Sequence, residues 1–166
     1  MSFHRILVAV DGSRHSDMAL AHAIELARDG NARLTILTAT PSPPGVARAG
    51  PGAAVIAANA ADLEHDFDEI LREAVERVPD DLPVTTVHAS GPPAQAILSE
   101  MERADHDLIV MGSRGLGLAR ALMGSVSHRV LRHAPGAVLI VHAEGEPDAD
   151  VPETAGQAGR GASVSR

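Results

Sequence analysis

The stretch Asp107–His142, DLIVMGSRGLGLARALMGSVSHRVLRHAPGAVLIVH, decides the fold. An apolar run at Leu108–Met111 breaks at Gly112 and Gly115. A further break at Gly124 is followed by Ser-Val-Ser-His, which opens a helical pattern of Val126, Val130 and Leu131. A second apolar run, Val138–Val141, closes the stretch. Strand, glycine turn, helix, strand is the order of a βαβ unit. In an open α/β sheet, ligands bind beyond the carboxyl ends of the strands, which is where Gly112 and Gly115 fall. Gly124, Ser125, Val126 and Ser127 then supply backbone N–H groups and hydroxyls at a helix start, a favoured place for phosphate. No Asp or Glu occurs from Gly112 to His133, whereas Arg114, Arg120, Arg129 and Arg132 all do. Against a formal net charge of -8, that local reversal of sign suits an anionic ligand.

Outward from this stretch the same grammar repeats. Ile6–Val10 is a continuous apolar run ending at Asp11-Gly12-Ser13, as expected of a central parallel strand covered on both faces. Ser13 or Ser16 is placed to cap the next helix, with Asp17 in its first turn. Leu20, Ala23, Ile24 and Ala27 recur at helical spacing up to Gly30. Leu34–Ala39 reads as a second strand. Thr40–Gly52, with its PSPPG and Pro-Gly clusters, reads as a long irregular loop at that strand's carboxyl end, positioned to cover a ligand. Leu63, Phe67, Ile70, Leu71, Ala74 and Val78 trace one face of a second helix, which Pro79 stops. Pro83–Ala89 is a third strand, and Ser90-Gly91-Pro92-Pro93 opens a third helix with inward Ile97, Met101 and Ala104. The fourth helix spans about Ser125 to His133 and the fifth strand Ala137 to His142.

Strands alternating with helices five times predict an α/β fold: one doubly wound, five-stranded parallel sheet with four helices, Rossmann-like. The order 3-2-1-4-5 places a switch point between strands one and four, so that Asp11 and Gly112 face each other across one crevice. Residues 1–143 then form the domain. Residues 144–166, rich in Gly, Ala, Glu and Asp and without periodicity, are expected to be a disordered tail.

Composition narrows the function. With 45% hydrophobic and 22% charged residues, the chain of 166 residues fits a single domain with its own core. Aromatics are 1%, and the balance is acidic, which disfavours nucleic-acid binding by base stacking. The absence of Cys excludes disulfides, thiolate metal sites and a thiol nucleophile. All 14 basic residues are Arg, so neither a Gly-Lys-Ser/Thr phosphate loop nor a Schiff base is available. The short apolar run near the start meets Asp11 at once; neither a membrane span nor a signal peptide is expected, and a cytoplasmic location is the default. The 9 His show no HExxH or His-x3-His spacing, so no metal site is expected. Arg129 and Arg132 suit the carboxyl end of a helix dipole, while Arg114 and Arg120 are placed either for phosphate or for solvent.

ILVAVDGS, HASGPPAQAIL, DLIVMGSRGLG and GSVSHRVLRHAPGAVLIV, in that order, resemble the universal stress protein family from about Arg5 to Val141. The resemblance implies the five-stranded fold and a homodimer. One branch of the family binds ATP through G-x2-G-x9-G-[ST], and Gly112, Gly115, Gly124 and Ser125 fall on its fixed positions. In that pattern Gly112 and Gly115 approach the ribose and phosphates, and Gly124, Ser125, Val126 and Ser127 hold the triphosphate. Ala9, Val10, Asp11 and Ala39 flank the adenosine; Met111 and Arg114, beside the first glycine, complete the expected cofactor-binding set. Two departures stand out. Residues Leu116–Met123 separate Gly115 from Gly124, one fewer than the pattern, which shortens an extended path by roughly 3.5 Å. Ala137 stands where the family often has Pro.

The residues keep other readings open. Asp11 is either a turn or capping aspartate or an acceptor for a ribose hydroxyl or adenine amine. A wholly apolar last strand on a sheet edge, Ala137 to Val141, needs a cover; a second copy paired through a two-fold axis supplies one. The leading expectation is an ATP-binding stress-response protein, with AMP or another adenine nucleotide as alternatives. Mg²⁺ would arrive only with the triphosphate, and an unidentified protein partner would read the nucleotide state. No catalytic residue is identifiable, and at most slow ATP hydrolysis is expected. A receiver domain would need a Lys, an oxidoreductase G-x-G-x-x-G after the first strand, and a serine hydrolase G-x-S-x-G; all are missing. The competing expectation is a nucleotide-free dimeric scaffold, which the short spacer favours.

Overall fold

In the computed structural model, residues 2–40, 53–115 and 124–143 are described, with no side-chain detail for 53–61 and 63. Five strands alternate with four helices: β1 Arg5–Ala9, α1 Arg14–Gly30, β2 Arg33–Thr40, α2 Ala53–Glu76, β3 Val84–Ser90, α3 Pro93–Arg103, β4 Leu108–Gly112, α4 Ser125–His133 and β5 Ala137–Val141. All neighbouring strands are parallel, and their order is β3-β2-β1-β4-β5. Both the fold class and the strand order expected from the sequence are found. The Pro-Gly stretch at 41–52, the spacer at 116–123 with Arg120, and the tail at 144–166 lie outside the described residues.

The continuous apolar run of β1 is explained by its position. Ile6 and Val8 join the core layer under α1 and α2, and Leu7 joins the layer under α3 and α4. All three have 0% exposure. Burying each such side chain contributes about 1.5–3 kcal/mol, and only a strand covered on both faces uses three in succession. β3, on the edge, buries none of its side chains fully.

Helix boundaries follow local chemistry. Ser13 caps α1 by accepting from the Ser16 amide at 3.2 Å, and Asn31 ends it in the left-handed conformation at φ 50. Pro93 begins α3, where its missing N–H costs nothing. α2 differs from expectation: it starts at Ala53, well before Leu63, the first residue of the predicted face. Its first turns, AAVIAANAA, are rich in Ala, which favours helix without giving an amphipathic stripe.

Candidate functional site

The carboxyl ends of β1, β2 and β4 open into a cavity of about 340 Å³. It lies at the switch point, because β1 leads to β2 on one side and pairs with β4 on the other. Ala9, Val10 and Asp11 follow from β1, Ala39 from β2, and Met111, Gly112, Arg114 and Gly115 from β4. Gly124, Ser125, Val126 and Ser127 enter from the start of α4. The structure therefore gathers every residue of the sequence-based set around one space.

Two glycines make that convergence possible. A Cβ on Gly112 would lie 2.7 Å from His15 Cβ and 2.9 Å from the His15 carbonyl carbon. A Cβ on Gly115 would collide with Asp11 Oδ2. A side chain at Gly112 would push the end of β4 away from the start of α1, and one at Gly115 would push it away from the segment that follows β1. Asp11 is held in turn by its own segment: Oδ1 accepts from the Ser13 amide at 3.0 Å, across Gly12 at φ +76. The turn reading of Asp11 is thus correct, and its second oxygen faces the Gly115 backbone across the crevice.

The opposite wall is a helix start. Gly124 is the N-cap of α4 with extended φ -68 and ψ 159, and it brings no side chain to cap the first-turn amides. Those amides have no partner inside a helix. No acidic residue occupies the first turn, and Arg132 and His133 lie in the last. The positive end of the helix dipole therefore faces the cavity with no acidic side chain in its own first turn. Gly124 is anchored by its own N–H, which donates to the Ser113 carbonyl at 2.7 Å. The Ser127 hydroxyl reaches the Ser113 carbonyl at 2.9 Å and the Gly124 carbonyl at 3.0 Å. That hydroxyl, expected from the sequence to face a phosphate, fastens the helix start to the end of β4. What Ser127 offers the cavity is its amide.

Sequence reasoning missed part of the wall. Phe67 of α2, Pro93 and Ile97 of α3, Leu37 of β2 and Ser16 of α1 also line the cavity. Phe67, Ile97 and Pro93 had read as core and helix-start residues. Periodicity identifies an inward face without saying that the face ends at a hollow. The lining is predominantly aliphatic with one aromatic ring, and the start of α4 brings backbone donors to it. Such a space suits a ligand with an apolar planar part and an anionic part, and its volume lies within the roughly 300–1,000 Å³ of small-molecule sites.

Among the described residues, no group of three or more His, Asp or Glu side chains is placed to hold a metal ion. None of the described helices is long and apolar enough to cross a membrane.

Known proteins agree with this architecture. The profile of the universal stress protein family matches residues 2–142. The universal stress protein YxiE of Bacillus subtilis (strain 168) is 35% identical to this chain, over 84% of it and 99% of the relative. A universal stress protein solved in complex with cAMP is 31% identical, covering 86% of this chain and 98% of its own, with a TM-score of 0.59. A family protein from Arabidopsis thaliana solved with AMP bound covers 84% of this chain and 91% of its own at a TM-score of 0.60; at 20% identity that likeness is one of fold. The chain belongs to the universal stress protein family.

Proposed function

We propose that this stress protein binds an adenine nucleotide in the switch-point cavity and acts in the cytosol as a nucleotide-dependent regulatory module. The observation that carries the proposal is the uncapped start of α4 facing glycine-cleared strand ends across an apolar hollow. A phosphate takes the amides of Ser125, Val126 and Ser127, and the base takes the aliphatic wall near Ala39. The cAMP complex of a relative 31% identical supports the choice of an adenine ligand. ATP is the family-pattern expectation for Gly112, Gly115, Gly124 and Ser125, with Mg²⁺ carried in by the triphosphate. Purified protein, freed of ligand and titrated by calorimetry with ATP, AMP and cAMP in turn, is expected to bind at least one of them with one site per chain. Folded protein that binds none would leave the nucleotide-free scaffold, the reading favoured by the short spacer between Gly115 and Gly124.

The proposed partner in assembly is a second copy, joined along β5. Leu139 on that edge strand is 37% exposed and Leu131 on α4 is 48% exposed, the exposed large apolar side chains among the described residues. Covering them removes an open apolar edge. Leu139→Arg is expected to turn a dimer into a monomer in sedimentation; an unchanged mass would place the contact elsewhere.

A further inference from the structure

Outside the cavity wall, three side chains form a chain of hydrogen bonds between α2 and the strand ends. His88 Nδ1 lies 2.6 Å from Asp68 Oδ1, and His88 Nε2 lies 2.7 Å from Thr40 Oγ1. The register explains the reach. β2 and β3 pair Thr38 with His88 and Thr40 with Ser90, so the ring on β3 leans toward the last residue of β2. Leu37 and Ala39 belong to the core layer under α3 and α4. Side chains alternate along a strand, so Thr38 and Thr40 point to the other face, where α2 lies. Thr40 is buried, while Asp68 stands on the exposed side of α2.

The chemistry fixes the ring's tautomer. A carboxylate only accepts, so Nδ1 carries the proton that bonds Asp68. In the neutral ring Nε2 then accepts the Thr40 hydroxyl. One imidazole thus holds a helix and a strand end at once, through nitrogens on opposite sides of the ring. Each end of the chain is one residue from the cavity wall: Phe67 precedes Asp68, and Ala39 precedes Thr40. Just past the end of α2, Arg77 bonds Asp17 of α1 at 2.7 Å.

We propose that His88 is a positioning residue for the base end of the cavity, clasping α2 to β2 through Asp68 and Thr40 so that Phe67 closes the wall opposite Ala39. This rests on the nucleotide reading above and adds a residue that touches no ligand. Phe67 gives the base a ring to pack on, and the clasp holds that ring still.

A double-mutant cycle in AMP affinity tests the proposal, using the full chain and calorimetry. His88→Leu and Phe67→Leu are each expected to weaken AMP about tenfold, and the double variant hardly more than either alone, because both remove the same placement of the ring. His88→Gln, whose amide donates to Asp68 and accepts from Thr40, is expected to recover most of the affinity. Should His88→Leu fail to fold, Asp68→Ala carries the same expectation from the helix surface. Full affinity in folded His88→Leu, or losses that multiply to about a hundredfold in the double variant, would overturn the clasp while wild-type binding leaves the nucleotide reading intact. Wild-type protein that binds no AMP, ATP or cAMP would overturn both.

Discussion

The two ends of the sheet are built from the same five strands and are finished in opposite ways. At the amino end the chain engages strand amides with its own side chains. Asp107, just before β4, accepts from the His4 amide at 2.8 Å and the Arg5 amide at 3.1 Å. Its carbonyl takes the Ala137 amide at 3.2 Å, so one residue ties β1, β4 and β5 together. Behind it, Glu100 pairs through both oxygens with Arg103 at 2.7 Å. At the carboxyl end the corresponding carboxylate, Asp11, makes its turn by accepting from the Ser13 amide, and the helix opposite has no capping side chain. A binding end needs backbone amides left open; at the amino end the His4 and Arg5 amides are already taken. The acidic residue is present at both ends, and the difference lies in the glycines and the bare helix start.

The largest effect should come from closing the open end. Gly115→Val puts a branched side chain against the Asp11 carboxylate and is expected to weaken nucleotide binding on the order of a hundredfold or more. Circular dichroism and calorimetry together check this; unchanged affinity in a folded variant would move the ligand elsewhere. At the amino end the converse should hold. Asp107→Ala removes two charge-assisted hydrogen bonds and is expected to lower stability by about 2–4 kcal/mol while nucleotide affinity stays the same. A denaturant titration beside a binding titration separates the two readouts, and a loss of affinity at constant stability would break the contrast between the ends.

A smaller effect sharpens it. His106, beside the amino end, is buried, with Glu100 Oε1 3.8 Å from Nε2, beyond hydrogen-bonding reach. Burial pushes its pKa below the ordinary histidine value, with the Glu100 charge opposing that shift. A lowered folded pKa means that the unfolded chain takes up a proton first. The contribution of neutral His106 is therefore fully present above about pH 6.5 and is lost as the pH falls below that, at no more than about 1.4 kcal/mol per pH unit. Stability measured from pH 8 to pH 5, where the wild type should decline below about 6.5, is expected to lose that part of its slope in His106→Leu. An identical slope in the variant would assign the titration to another group.

The ends also differ in how well the sequence announced them. The strand ends and the glycine and helix-start part of the cavity wall were readable because glycines after apolar runs mark strand ends, and a Gly-Ser pair before helical spacing marks a helix start; the strand order was the simplest choice that gave a switch point. Asp11, Gly112, Gly115 and Gly124 carry those signals locally. The start of α2 was not readable, since alanines at its beginning stabilise helix without marking a face. Nor were the bonds of His88: Asp68 and Thr40 lie on other elements, and only the β2–β3 register brings them within reach. The same holds for Asp107, whose two amide partners are more than a hundred positions away. Local signals announced the glycines and helix start at the cavity, whereas the ties of His88 and Asp107 arise from long-range closure.

The central claim concerns particular amides, and their resonances test it most directly. In a titration of the isotopically labelled protein with AMP, followed by proton–nitrogen correlation spectra, the amides of Ser125, Val126 and Ser127 should shift strongly and saturate together. The His4 and Arg5 amides at the other end should stay in place. A folded protein whose helix-start amides remain unmoved at saturating AMP, or whose shifts cluster at the amino end, would contradict the account.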